Sequence, residues 1–440
     1  MTSPAPAPRS SWAARWLPWV VGIWLGMSFL KFGNPVILDK MIQPPNGFAE
    51  FLFVAWPVKF AIPFVLAAIL LSIPLQGRQF IKGPWFLWLP VAWLVWQKIA
   101  ATNSVAPDLT RITLYHFVVV TFAFYMGYAS LARCPNLKGL WVPLIVAFTY
   151  MLWTGFEQHN GGLEAMRKMI YAQPNWQEMP PDYLKRIASN RVFGTMAYPN
   201  ALAGALLLLL PALTYKLWQM TASWQRIARA VVVGLFAYGA VACLYWSGSK
   251  AGWLIALGVA AVGCLKLPEI ARYRYLIAGI VLIAGLAVFA VRFQAYFAKG
   301  ATSASARVIY WQAAWQTALK HPLFGTGPGT FQKPFAEIKP PDAEMARLVH
   351  NDYLEQASDS GFPGFILYLA MMGTFLVLLY RKTTETLPFL VFLGILGFSA
   401  QSMVEFGLYI PALSWTAFLL MGWGLGLHGC EQRGEAGKPS

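Results

Sequence analysis

Apolar residues along this chain neither alternate with polar ones nor keep to one face of a short helix. They come in contiguous runs of about 20 residues, the length a helix needs to cross the hydrocarbon of a bilayer. About twelve such runs stand out, at 14–31, 51–75, 82–101, 111–131, 139–156, 196–217, 227–247, 250–267, 275–294, 362–380, 386–404 and 408–428. A chain in lipid must satisfy its backbone polar groups internally, so runs this long without two-residue alternation predict helices and not strands. Pro63, Pro90 and Pro211 fall inside runs, where membrane helices tolerate them as kinks. Two polar stretches between runs are long, 157–197 and 295–361. The chain therefore divides into a tail at 1–13, nine spans over 14–294 that include the loop 157–197, a large helical loop at 295–361, three spans over 362–428, and a tail at 429–440. The predicted fold is an all-α polytopic membrane protein.

Composition agrees: 58% of the 440 residues are hydrophobic and 12% charged, with a mean hydropathy of +0.51. A soluble fold of this size has too little interior to hide that much apolar surface, which excludes an ordinary cytosolic enzyme as well as a disordered chain. The net charge of +16 is read as topology-setting Lys and Arg, then as a match for an anionic partner, and not as a nucleic-acid footprint. With the N-terminus in the cytoplasm, Arg9, Arg15, Arg78, Lys82, Arg133, Lys138, Lys216, Arg226, Arg229, Lys266, Arg272, Arg274, Arg381, Lys382, Arg433 and Lys438 all fall on the cytoplasmic side. They face four acids there: Glu269, Glu385, Glu431 and Glu435. Both termini are thus expected inside. Trp16–Leu30 is followed by no small-residue cleavage pattern and is expected to remain as a signal anchor. Cys134, Cys243, Cys264 and Cys430 form no CxxC pair, so neither a disulfide framework nor a zinc site is expected.

The cytoplasmic connectors are too short for chemistry, which directs attention to the long outer loops. Gly325-Thr-Gly-Pro-Gly329 lacks the Lys-Ser/Thr ending and the preceding strand of a phosphate loop and reads as a turn. Of five histidines, His116 lies within a span, His159 opens the first loop, His321 precedes Pro322 at a helix end, and His428 is near the C-terminus. His350 differs: a helix through Arg347-Leu-Val-His350-Asn-Asp-Tyr-Leu354 puts Arg347, His350 and Leu354 on one face, broken at Gly361 and Pro363 before the next span. There His350 is either a general base for a hydroxyl or a surface histidine capped by Asn351 or Asp352. Arg191 precedes the sixth span. Arg307 opens a helix whose Val308, Trp311, Trp315 and Leu319 form an apolar face, free to pack on the bundle or lie in the interface. Lys250 sits in the tight turn Ser247-Gly-Ser-Lys250-Ala-Gly. Three cations at three membrane-helix ends on one side suit a lipid diphosphate, Arg bidentately and Lys as a point charge; snorkelling is the alternative for each alone. No Asp-x-Asp occurs, so no metal and no other cofactor is expected, and a leaving diphosphate would be neutralised by arginine. Asp342 and Glu344 read as solvated loop charge, and Glu405 as an outer-edge residue.

This ordered set, from Arg191 through Pro199-Asn200, Lys250, Arg307–Trp311, Gly325–Gly329 and His350-Asn-Asp-Tyr-Leu354, resembles the bacterial O-antigen ligase (WaaL) family, related to O-antigen polymerases and protein O-oligosaccharyltransferases. The resemblance spans about Arg191 to Tyr380; the N-terminal third matches only as a row of spans. It implies a GT-C-like fold and a metal-independent, inverting glycosyl transfer at the periplasmic face of the bacterial inner membrane. The donor would be a glycan on undecaprenyl diphosphate and the acceptor a hydroxyl on the outer-core sugar of lipid A-core, in lipopolysaccharide biosynthesis. His350 would deprotonate or orient the hydroxyl. Arg191 and Arg307, with Lys250, would bind the diphosphate. Tyr198, Asn200, Arg347 and Asn351 would position donor or acceptor. Lys250 departs from the arginine common in the family at that turn. The polymerase and the protein glycosyltransferase remain rivals within the fold. A transporter of an anionic lipid is the rival from another class, disfavoured because charge concentrates outside the spans.

Overall fold

The computed structural model describes residues 12–75, 84–179, 184, 187–266, 268–298, 302–382 and 385–436. The parts of the sequence reading that fall on the tail up to Ser11, on Arg78, on Lys82 and on Lys438 lie outside them. Among the described residues the regular structure is helical throughout. The main helices are α1 (Trp12–Lys31), α2 (Phe48–Phe53), α3 (Ile62–Ser72), α4 (Trp88–Ala100), α5 (Pro107–Ala129), α6 (Lys138–Glu157), α7 (Leu163–Tyr171), α8 (Pro199–Met220), α9 (Arg226–Ser247), α10 (Lys250–Lys266), α11 (Arg274–Ala298), α12 (Thr302–Lys320), α13 (Gln332–Ile338), α14 (Asp352–Lys382), α15 (Thr386–Gln401) and α16 (Pro411–Ala436). Among the described residues, eight helices are long and apolar enough to cross a membrane. The remaining predicted runs are helical in shorter pieces: α4, α10, α15 and the apolar part of α16 at Pro411–Leu427.

The core is built from close helix pairs, α5 on α16, α1 on α6 and α8 on α15. Small residues make them close, as expected where lipid supplies no hydrophobic drive between helices. A Cβ on Gly422 would come within 1.9 Å of the Phe124 carbonyl oxygen, and one on Gly22 within 2.2 Å of that of Gly139. A second, smaller apolar core lies under the loop between α11 and α14. Tyr310, Ala313 and Ala314 of α12 meet Phe331, Phe335, Ala346 and Val349 there.

Three expectations change. The run 51–75 is not one helix, because the chain is extended at Val54 and restarts after Pro57. Proline has no N–H to give and disfavours helical backbone in the residue before it. The buried Lys31 ammonium takes up the interrupted carbonyls, donating to Leu52 O and, at 3.2 Å, to Val54 O. The run 139–156 does not stop where the first long loop was expected. It passes a kink at Asn160 and Gly161 (φ 119°) and continues as α7 to Tyr171. The apolar stripe of α12, left open between bundle and interface, splits: Val308, Trp315 and Leu319 are exposed, while Trp311 packs against the core of Tyr310, Ala313 and Ala314. Finally, 347–354 is not a single helix. Helix α14 begins at Asp352, capped by the Asn351 side chain, whose Oδ1 accepts from Tyr353 N and Leu354 N at 3.0 Å each. Arg347, His350 and Leu354 therefore share no helical face. The expected break before the last three spans is present, at Ser360 and Gly361 (φ 68°).

Candidate active site

Successive spans alternate in direction, so the C-terminal ends of α9, α11 and α15 and the start of α14 meet at one end of the bundle. There the turn between α15 and α16 carries Glu405, whose side chain is buried. Its Oε1 accepts from the Arg307 guanidinium and from Asn200 Nδ2. Its Oε2 lies 3.1 Å from His350 Nδ1. Arg191 joins through Asn200: its Nη2 donates to Asn200 Oδ1 at 2.8 Å and its Nε to Ser247 O at 2.7 Å. One carboxylate thus gathers a histidine, an arginine and the asparagine that holds a second arginine. Burial alone would raise the Glu405 carboxyl, but Arg307, His350 and Arg191 together outweigh it and hold it below its ordinary value, so it is ionised. Burial lowers the Arg191 guanidinium, Glu405 opposes that, and arginine's high starting value leaves it charged.

Each group is held by local structure. His350 is the sole non-glycine residue with positive φ (56°) among those described. That backbone costs on the order of 1 kcal/mol or more and persists only where the surroundings over-determine it. They do: Val349 N donates to Glu355 Oε2 at 2.6 Å, Asp352 N to Ser402 O at 2.7 Å, and Trp311 Nε1 to His350 O at 3.3 Å. The imidazole is set between Tyr310 and Phe406, with ring centroids at 5.9 and 4.7 Å. Its side chain keeps 29% of its surface exposed, which leaves a hydroxyl a route to it. Arg191 runs against Gly248, left-handed at φ 59°, where a Cβ would come 3.3 Å from Arg191 Nε. Gly248 thus serves both the tight turn and the passage of the guanidinium. Asn200, in the first turn of α8, is fixed from behind by Gln401 Nε2 donating to its carbonyl at 2.7 Å.

The other candidates distribute as follows. Tyr198 lies just before α8 with its ring 5.2 Å from Phe406, at the edge of the cluster. Lys250 opens α10 and rests its Nζ 3.9 Å over the Tyr296 ring. Arg347 is exposed and forms no ion pair among the described residues, so it is not brought to the cluster. Asn351 spends its side-chain oxygen on the helix cap. His116 is buried, 2.8 Å from Leu408 O, and His159 stacks on Trp246 at 3.9 Å. A cleft of about 380 Å³ beside Asn103 and His321–Thr326 involves none of the candidate site residues.

The sequence placed Glu405 at the outer edge of the spans and gave it no role; in the structure its buried side chain is the hub of the cluster. One signal pointed to it. It is the sole acid between the runs 386–404 and 408–428, and a buried acid requires a partner. Three further carboxyl groups, unassigned from sequence, fasten the site's loops to α14. Asp352 Oδ2 accepts from Leu408 N at 2.9 Å and Glu355 holds Val349 N. Asp359 Oδ2 accepts from Gly329 N at 2.6 Å and Tyr409 Oη at 2.8 Å.

With Nδ1–H directed at Glu405, Nε2 of His350 is left as a proton acceptor. Two guanidinium groups beside one carboxylate leave a surplus of positive charge, and Arg307 Nε is buried with no acceptor among the described residues. A base beside an anion-binding pair suits transfer from a phosphorylated leaving group to a hydroxyl. Residues 235–369 match the family model described as O-antigen ligase, over less than half of the chain. No curated protein matches the chain significantly.

Proposed function

We propose that this chain, whose residues 235–369 match the O-antigen ligase family model, transfers O-antigen glycan from undecaprenyl diphosphate to the outer-core sugar of lipid A-core. A membrane glycosyltransferase role in lipopolysaccharide assembly follows from the family and the apolar helices. The finer reading rests on one observation: Glu405 joins the His350 imidazole to Arg307 and, through Asn200, to Arg191. In the proposed step His350 Nε2 removes the acceptor proton and the hydroxyl oxygen attacks the anomeric carbon. The bond from that carbon to the phosphate oxygen breaks, and undecaprenyl diphosphate departs with its new negative charge on Arg191 and Arg307. Attack opposite the leaving group inverts the anomeric centre. Glu405 orients the imidazole and stabilises its protonated form.

A periplasmic site is supported by charge. Arg133, Lys138, Arg226, Arg272 and Arg274 flank helix ends opposite the cluster, as expected if that end is cytoplasmic. The test is transfer by the purified full-length protein from an undecaprenyl-diphosphate glycan to lipid A-core, with and without EDTA. Turnover is expected to be the same in both. Loss in EDTA restored by Mg²⁺ rejects the metal-independent route, and extension of a second donor in place of lipid A-core makes the protein a polymerase. Arg307→Lys is expected to cost about 30-fold in kcat/KM, since it loses a planar fork at a carboxylate and a phosphate. Lys250→Arg, which keeps its cation over an aromatic face, is expected to cost less than about threefold. Equal losses in steady-state assays remove Arg307 from the diphosphate.

A further inference from the structure

Arg292 takes no part in the Glu405 cluster. It lies on α11, six residues before that helix ends at Ala298. Helix α11 is the most outward of the bundle: 11% of its apolar stretch is buried, and Val288, Val291 and Phe297 are exposed. The Arg292 guanidinium carbon is 5.0 Å from the Tyr245 ring centroid and 5.5 Å from that of Phe293. Lys250 Nζ is 5.4 Å from the same Phe293 ring and 3.9 Å from Tyr296. Two cations from different helices therefore flank one phenyl ring. Among the described residues neither meets a carboxylate. Lys250 is also the first residue of α10, where the positive end of the helix dipole disfavours a cation. Its ammonium also feels the positive charges of Arg191, Arg307 and Arg292. Glu405 supplies the counter-charge for Arg307 and His350, and among the described residues no carboxylate does the same for Arg292 and Lys250. Like charges gathered at a membrane-facing edge without a counter-ion repel one another unless an anion joins them.

We propose that Arg292 and Lys250, framed by Tyr245, Phe293 and Tyr296, form an outer docking station for the diphosphate of a polyprenyl-linked donor, from which it moves inward to Arg191 and Arg307. The proposal rests on the donor class named above. The exposed apolar face of α11 offers the polyprenyl chain a surface in the bilayer, so the headgroup alone needs protein ligands. Arg292 has no place in bond-making; it raises the occupancy of the path.

The experiment uses the full-length protein in phosphatidylcholine nanodiscs and undecaprenyl diphosphate without glycan as the probe, alongside steady-state transfer from the glycan donor. Arg292→Ala is expected to weaken probe binding about tenfold and to raise donor KM by a similar factor, with kcat falling less than about twofold. Arg292→Lys is expected to restore most of both, since a point charge serves for docking. Unchanged probe affinity and KM in Arg292→Ala overturn the station. A fall in kcat at constant KM also overturns it, because that pattern belongs to packing of α11. Adding phosphatidylglycerol to the nanodiscs separates the sources of phosphate. Affinity held within about twofold supports a diphosphate site, while strong competition assigns these cations to bulk anionic headgroups and ends the proposal. Binding is read without turnover, so a wild type that binds the probe through Arg292 yet transfers nothing rejects the proposed function and leaves the station standing.

Discussion

Glutamine in place of Glu405 is expected to lower kcat for glycan transfer about 10³-fold in a protein that still purifies folded. The amide keeps the volume of the carboxylate but loses its charge at a point where three side chains converge. Nδ1 of His350 no longer faces an ionised acceptor, so the tautomer with a free Nε2 loses its preference and the protonated imidazole loses its counter-ion. Arg307 and Asn200, which share Oε1, keep only a neutral amide oxygen there, so the ion pair with Arg307 is lost and the hold on Arg191 through Asn200 weakens. Substrate binding through the remaining guanidinium groups persists, so donor KM is expected to move far less than kcat. A purely structural role predicts the reverse, with activity falling only as folded protein is lost. Stability gives a second readout. The folded protein holds the Glu405 carboxyl below its ordinary value. Its charge therefore contributes stability that is complete above the ordinary carboxylate range and is lost as pH falls through the depressed value. The wild type should lose Tm over that acid range by a step that Glu405→Gln lacks.

Alanine at His350 is expected to lower kcat by about 10³, within the range general-base catalysis supplies. If imidazole and carboxylate act as one unit, as proposed, the double variant His350→Ala, Glu405→Gln should be scarcely slower than the slower single variant. Multiplicative losses, measured in the same transfer assay, would show that Glu405 works through the arginines and not through His350. The His350→Ala protein should bind undecaprenyl diphosphate as the wild type does, since in the proposed step the imidazole serves the acceptor hydroxyl and not the diphosphate. Lipopolysaccharide made at near-normal levels in cells carrying His350→Ala would remove the base from the mechanism.

The apolar runs, the tight turn at Gly248 and the break at Gly361 were legible because each depends on local chemistry: run length, positive φ and proline exclusion. Arg191, Arg307 and His350 stood out as charge or imidazole at the ends of apolar runs, and the structure does bring these three together. What the sequence hid depends on contacts between distant residues. Val54–Pro57 interrupts a run that looks continuous, and its stability comes from Lys31 on another helix. Asn351 looked like a substrate ligand, yet its position one residue before α14 commits its oxygen to two backbone N–H groups. Moving the helix start to Asp352 likewise removes the face that Arg347 was expected to share with His350 and Leu354. The outward stripe of α12 followed helical spacing correctly, but the inner face was claimed by smaller residues and Tyr310, which fill the space over Phe331 and Phe335. Glu405 had no local pattern at all, since its meaning lies in partners 55, 98 and 205 residues away.

The hub at Glu405 bears on how such enzymes tolerate recombination. The segment matched by the family model contributes Arg307 and His350, whereas Glu405, Asn200 and Arg191 come from either side of it. A chimera that imports only 235–369 from a relative would inherit the proton acceptor and leave its clamp behind, so working hybrids should keep both flanks from a single parent.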